Sequence, residues 1–224
     1  MVKLAGHTWR TTVSTVALAP DQFRVVRPAH DLARASLSMS SWGPTLTVHR
    51  SGVSAVADLA AAWWLAARSP RTLVHLPLRG PHDDPDGRPI DLVMLHHSLG
   101  FQLSRWKELR TRTRHGATAG SVQLPVRPFP AVTREDHVAT NHREFQDHLR
   151  WGLAADTLFL IGSRRAFELQ ADGLRELAED CPAHIAKHPE WHHCAEIDIG
   201  GPWYRELHRN PPSALHVHYC ELHA

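Results

Sequence analysis

Residues 45–70 have the sequence TLTVHRSGVSAVADLAAAWWLAARSP, and the same order of residue types occurs once more in the chain. Residues 157–182, TLFLIGSRRAFELQADGLRELAEDCP, align with them without a gap. Each segment opens with an apolar run typical of a strand and reaches a Ser suited to capping a helix. A stretch of helical periodicity follows, and a Pro ends it. The shared pattern predicts a strand followed by a helix in both places.

Strand-like runs flank both segments in the same order. The first segment follows ASLSMSSWG (35–43) and is followed by TLVHLPL (72–78) and IDLVMLHH (90–97). The second segment follows DHLRWGLAA (147–155) and is followed by CAEIDIG (194–200) and ALHVHYCEL (214–222). We expect the last two runs to pair as neighbouring strands. The sequence thus predicts an α+β fold of pseudo-duplicated strand–strand–helix–strand–strand units, whose helices cover one face of a mainly antiparallel sheet.

The two units predict two halves of one compact domain. We expect the first α+β half at residues 1–116 and the second at 134–224, with the Pro-rich segment 117–133 as a linker or edge strand. Thr133 and Asp136 have the spacing of a capping box, which predicts a helix start in the second half. A chain of 224 residues is long enough to bury a substantial core.

The composition is that of an ordinary globular protein. Apolar residues make up 42% and charged residues 21%, and no apolar run is long enough for a membrane helix. The N-terminus lacks the continuous apolar segment of a secretory signal, so we expect a cytoplasmic protein with no membrane partner. Arg greatly outnumbers Lys, which is typical of a GC-rich bacterial genome. The net charge of +2 provides no general argument for nucleic acid as a partner.

Histidine is unusually frequent, with 19 residues, and the three cysteines all lie near the C-terminus. Three cysteines are too few, and odd in number, for a disulfide framework. Histidine binds metals, acts as a general acid or base near neutral pH, and senses pH. The histidines are spread along the whole chain, however, so a compositional bias is the favoured explanation for most of them.

The run ALHVHYCEL places His216, His218 and Cys220 at alternate positions, which share one face of a strand. Imidazole and thiolate are the preferred ligands of Zn²⁺ and suit other transition metals. We take His193 and His188 as further candidate ligands, because they lie on or just before the strand expected beside this one. The alternative is an ordinary polar outer face over a buried one, and neither C-x-x-C nor H-E-x-x-H occurs.

Three classes of function remain open. The first is a small cytosolic module that binds a ligand or a protein partner, favoured because no catalytic signature is present; a homo-oligomer is compatible with it. The second is a metal-dependent or His-based enzyme that uses the C-terminal His and Cys residues, and whose catalytic residues are unknown. The third is a nucleic-acid binder that uses the Arg-rich helix at residues 104–116, which the near-neutral net charge disfavours.

Overall fold

The computed structural model describes residues 3–32, 34–49, 53–80, 86–113, 116–142, 144–188, 193–200 and 214–220, without the side chains of Val53 and Cys220. The strands in these ranges are β1 Thr8–Leu18, β2 Asp21–Pro28, β3 Ala35–Ser40, β4 Gly43–His49, β5 Thr72–Leu76, β6 Arg88–Pro89, β7 Asp91–His96, β8 Thr118–Gln123, β9 Arg150–Leu153, β10 Thr157–Gly162, β11 His193–Asp198 and β12 Ala214–Cys220. The helices are α1 Val53–Arg68, α2 Trp106–Arg112, α3 Arg134–Thr140, α4 Arg164–Leu169, α5 Ala171–Glu179 and α6 Cys181–Lys187. The fold is α+β, as the sequence predicts.

The strands form two sheets. Sheet A has the order β8-β1-β2-β5-β7-β10-β9, and sheet B has the order β11-β12-β4-β3-β6. Both sheets are mixed, because β2 with β5, β7 with β10, and β4 with β12 are parallel pairs. The other pairs between described strands are antiparallel, among them β11 with β12, which confirms the expected pairing of these two runs. Seven of the ten described strand pairs are antiparallel, in agreement with the expected mainly antiparallel pairing, but the strands form two mixed sheets.

Helix α1 is buried because its own residues are apolar, mostly Ala, on nearly every face of the helix. Its residues share one core with residues of both sheets, such as Leu46 of β4 and Met94 of β7. The indole Nε1 of Trp63 donates a hydrogen bond of 2.7 Å to the carbonyl of Phe167, which ties α1 to α4. Although α1 is the longest described helix, neither it nor any other helix of the described ranges is long and apolar enough to cross a membrane.

The two sheets differ in how their second faces are covered. In sheet A, strands β5 and β7 have buried side chains on both faces, as expected for strands that are covered on both sides. The face away from α1 packs Val93 and Phe159 against Trp106 and Leu109 of α2. In sheet B, only the face toward the helices is apolar, and the outer face is polar and partly exposed. We expected helices on one face of a sheet, and this holds for sheet B alone.

The two aligned segments each form a strand followed by helix, with one difference. In the first, α1 runs without interruption and ends before Pro70. In the second, the helix is interrupted at Gln170, and Pro182 lies in the first turn of α6, where its missing N–H is not needed. Pro182 therefore starts a helix and does not end one. The internal duplication stays a prediction, and so does the division into halves.

Candidate functional site

The five predicted metal ligands are divided between the two faces of sheet B. His216 and His218 lie on the outer face with their rings 5.7 Å apart. His193 pairs with Tyr219, whose side chain is buried in the core, so His193 faces the helices. The side chain of Cys220 lies outside the described residues. His193 and the pair His216 and His218 are thus not positioned to share one ion.

A separate histidine cluster lies where α6 approaches β11. The ring of His184 is 4.8 Å from that of His193 and 5.1 Å from that of His188, centroid to centroid. Two of the predicted ligands, His188 and His193, therefore lie near a third histidine, away from the C-terminal strand face.

One group of three potential ligands brings its donor atoms together within the described part of the chain. Cys194 and Glu196 of β11 and His216 of β12 have ligand atoms that all lie within 4.8 Å of one another. Only His216 of these belonged to the predicted set. Glu196 lies two residues after Cys194, so strand alternation combined with the pairing of the two strands would have indicated it.

Among the described residues, a deeply buried ionic site lies elsewhere, between sheet A and α2. Its centre is Asp91, the first residue of β7, whose side chain is 1% exposed. Because successive residues of a strand face opposite sides, Asp91 points away from α1 while Leu92 enters the main core. The carboxylate therefore lies on the side of sheet A that α2 covers.

Asp91 is held by donors on both carboxylate oxygens. Oδ1 accepts hydrogen bonds from the backbone N–H of Leu78 at 3.2 Å and is 3.1 Å from Nε of Arg79. Oδ2 is 3.2 Å from Nη1 of Arg110, which also donates to the carbonyl of Ala155 at 3.0 Å. A buried carboxylate is tolerated only when it is paired and hydrogen-bonded, and Asp91 meets both conditions.

His75 of β5 completes the site from the neighbouring strand. Its side chain is 2% exposed, and its ring packs edge-on against Trp106 at 4.9 Å. Nε2 lies 3.5 Å from Oδ2 of Asp91, and neither ring nitrogen makes a hydrogen bond of good geometry. Burial of an imidazole with only this long contact is costly, because its ring nitrogens lose their hydrogen bonds to water.

The two buried groups are shifted in pKa in the same direction for different reasons. Burial lowers the pKa of the His75 imidazole, and Arg27 and Arg110 lower it further, while Asp91 offsets part of the fall. Burial by itself would raise the pKa of the Asp91 carboxyl, but His75 and Arg79 outweigh it and hold this pKa below its usual range. At neutral pH the site therefore contains an ionised Asp91 and a neutral His75.

A cavity of about 270 Å³ opens beside these residues. Its lining consists of Arg27, His75, Pro77, Arg79, Asp91, Arg110 and Thr111. Three guanidinium groups and one carboxylate are among the described residues that line the cavity, so arginine is its predominant charged residue. Arg is the residue best suited to bind carboxylate and phosphate groups, because its planar donors match their oxygen atoms. We refer to this cavity as the arginine pocket.

A larger cleft of about 700 Å³ lies between the Pro-rich segment and α4, and two of its arginines share one carboxylate. Arg68 and Arg164 both contact the same Oε1 of Glu168, at 2.5 and 2.8 Å. Glu179 also lines the cleft, and its carboxylate accepts from the backbone N–H of Leu4. Unlike the arginine pocket, the cleft has no buried histidine among its described lining residues.

The Arg-rich helix is not a freely solvated basic surface. Arg105 pairs with Asp21 at 3.0 Å, and Arg112 pairs with Glu108 at 2.6 Å. Arg110 turns inward to Asp91, while Arg114 lies outside the described residues. The sequence pattern identified the helix but missed the role of Arg110, which depends on a residue of a distant strand.

His75 and Asp91 were not among the residues indicated by the sequence. Both stand in otherwise apolar strand runs, TLVHLPL and IDLVMLHH. A single polar residue inside a buried strand is a signal of a buried polar site, but it does not say which partners are near. No protein-family model, curated protein or solved structure matches this chain.

Proposed function

We propose that this protein is a small-molecule binding module and that the arginine pocket binds an oxyanion, the carboxylate or phosphate group of a small metabolite. A cavity of about 270 Å³ suits such a compact ligand, since pockets for drug-sized molecules start near 300 Å³. The proposal depends most on one observation. His75 lines the cavity, is almost fully buried, and has no hydrogen bond of good geometry at either ring nitrogen, its nearest partner being Oδ2 of Asp91 at 3.5 Å from Nε2.

The charge arrangement supports an anion over a cation as the ligand. Asp91 already has Arg79 and Arg110 as partners, so its oxygen atoms are occupied. Arg27 adds a third positive charge at the same cavity. The neutral imidazole of His75 carries one N–H, which is suited to donate to a ligand oxygen atom. Asp91 then acts as the group that orients the guanidinium side chains.

The same contacts argue against nucleic acid as the principal partner. A nucleic-acid surface needs basic side chains that reach out to successive phosphates. On α2 and the turn before it, Arg105, Arg110 and Arg112 each contact an acidic residue of the protein itself. A cytoplasmic location and a protein partner remain proposals that depend on the sequence alone.

Calorimetric titration with inorganic phosphate and with acetate tests the pocket. We expect saturable binding of at least one anion, and a loss of about tenfold or more in affinity for Arg79→Gln and Arg110→Gln. A hydrogen bond to a charged group contributes about 1.5–3 kcal/mol, and 1.4 kcal/mol corresponds to tenfold. Circular dichroism checks that each variant is folded.

Two control variants match these substitutions. Arg112 lies on the same helix as Arg110 but pairs with Glu108, and Arg88 forms an exposed pair with Asp156. Arg112→Gln and Arg88→Gln should bind the anion like the original protein. Absence of binding of both anions, or an equal loss in the controls and the pocket variants, would show that the proposal is wrong.

We also infer an internal duplication, supported by the way the strands pair. The unit β3–β4–α1–β5–β7 and the unit β9–β10–α4–α5–α6–β11–β12 each place one antiparallel strand pair in each sheet, while β6, between β5 and β7, adds an edge strand to sheet B. β4 of the first unit pairs in parallel with β12, and β10 of the second pairs in parallel with β7. A crystal structure in which residues 35–96 and 150–220 do not superpose over these elements would contradict the inference.

A further inference from the structure

Four potential metal ligands occupy two rungs of the antiparallel pair β11–β12, with one rung between them. Cys194 is opposite His218, and Glu196 is opposite His216. Residues directly opposite each other share a face of the sheet, and so do residues two apart on one strand. The intervening residues Ala195 and Val217 are buried in the core. The four side chains therefore lie together on the outer face of sheet B, at the corners of a rectangle.

Three of the four already direct their donor atoms toward one another. The thiol of Cys194, the carboxylate of Glu196 and the imidazole of His216 have ligand atoms within 4.8 Å of one another. Nδ1 of His216 is in contact with Oε1 of Glu196. Around a tetrahedral Zn²⁺ with bonds of about 2.0–2.3 Å, ligand atoms lie about 3.4 Å apart. Small side-chain rotations are enough to close the remaining distance, because the paired strands hold the backbone positions.

We propose that Cys194, Glu196 and His216 bind a divalent transition-metal ion such as Zn²⁺. His218, opposite Cys194, or a water molecule supplies the fourth ligand. This site shares no residue with the arginine pocket and does not depend on the function proposed for that pocket. Glu196 is exposed and His216 partly exposed, so an ion reaches the ligands from solvent without any opening of the fold.

The donor set selects the class of metal. Thiolate and imidazole favour Zn²⁺ and similar transition metals over Mg²⁺ and Ca²⁺, which prefer oxygen ligands. On binding, the thiol of Cys194 releases its proton to solvent and forms a bond from sulfur to the metal. One thiolate and one carboxylate then balance the two positive charges of the ion, while His216 binds as the neutral imidazole.

Titration of the tag-free protein with Co²⁺ tests the proposal, because a thiolate ligand produces a charge-transfer absorption band that nitrogen and oxygen ligands do not. We expect one equivalent of Co²⁺ to bind with this band, and Zn²⁺ to displace it. Cys194→Ser should abolish the band. His216→Ala and Glu196→Gln should each weaken Zn²⁺ binding at least about tenfold, since even outer-shell partners have effects of this size.

Three further variants separate this site from its neighbours. His137→Ala and Glu135→Gln, which change exposed residues of α3, should leave binding unchanged. Cys220→Ser should also retain the band. The proposal is overturned if the original protein binds neither metal, if Cys220→Ser and not Cys194→Ser abolishes the band, or if Co²⁺ binds without a thiolate band, as a histidine-only cluster would bind it.

Discussion

Asp91 and His216 occupy corresponding positions, one in each sheet. Asp91 pairs with Thr157 across the parallel strands β7 and β10, and His216 pairs with Thr45 across β12 and β4. Thr45 and Thr157 are the first residues of the two aligned segments. Both Asp91 and His216 lie on the sheet face away from α1. The arginine pocket and the proposed metal site are thus built at matched points of the two proposed units, with different side chains.

His75 should make the protein sensitive to mild acid. Its folded pKa lies below the ordinary 6.5, so the unfolded chain binds a proton below pH 6.5 while the folded protein does not. Stability therefore falls as pH decreases from 6.5 to the folded pKa, by at most about 1.4 kcal/mol per pH unit. Urea unfolding at a series of pH values should show a smaller fall for His75→Gln. An unchanged slope would contradict the burial of a neutral His75.

Asp91→Asn should destabilise the fold strongly. The amide cannot neutralise Arg79 and Arg110, and the loss of one partner from a buried ion pair typically costs about 3 kcal/mol or more. Asp21→Asn is the matched control, because Asp21 pairs with Arg105 at the surface and should change stability by less than about 1 kcal/mol. Denaturant unfolding followed by Trp fluorescence measures the free energy of unfolding of both variants. Equal effects of the two substitutions would show that the carboxylate of Asp91 does not hold the site together.

Cys194 and Cys181 should differ in reactivity. Cys194 is exposed, whereas Cys181 is buried and its pKa is raised to about 11 by burial and by Asp180 and Glu176. Only the thiolate reacts with alkylating reagents, so iodoacetamide at pH 8 should modify Cys194 and spare Cys181. Peptide mass spectrometry measures both sites, with the unfolded protein as the control in which both react. Added Zn²⁺ should protect Cys194 if it is a ligand, and rapid labelling of Cys181 in the folded protein would be inconsistent with its burial.

Gly173→Ala should destabilise the protein although the position is helical. In an exposed helix this change is favourable by about 1 kcal/mol. Here, however, an added Cβ would lie 2.9 Å from Cβ of Ala195, the residue between the two proposed β11 ligands. Overpacking of this kind costs about 1–3 kcal/mol, so we expect a lower melting temperature and weaker Zn²⁺ binding. Ser54→Ala, at an exposed position of α1, is the control and should change neither.

Local patterns in the sequence were sufficient to predict most of the secondary structure. The capping box of Thr133 and Asp136 forms as its spacing predicts, since both partners lie within one helical turn. The alternation in ALHVHYC likewise predicts a strand with His216 and His218 on one face, and β12 has this form. These features depend on residues only a few positions apart, whose relative placement follows from the sequence alone.

The composition of the candidate sites was decided by tertiary structure. Asp91 meets Arg110 and His75 only because β5, β7 and α2 come together, and His216 meets Glu196 only in one register of β11 and β12. A shift of one residue in that register would send Glu196 to the core side of the sheet. Strand pairing between distant segments is set by the packing of the whole core, in which α1 contacts both sheets. The sequence therefore predicted many of the strands and helices and the face that several of their residues present, although not β1 and β2, and the tertiary structure determined which of these residues meet.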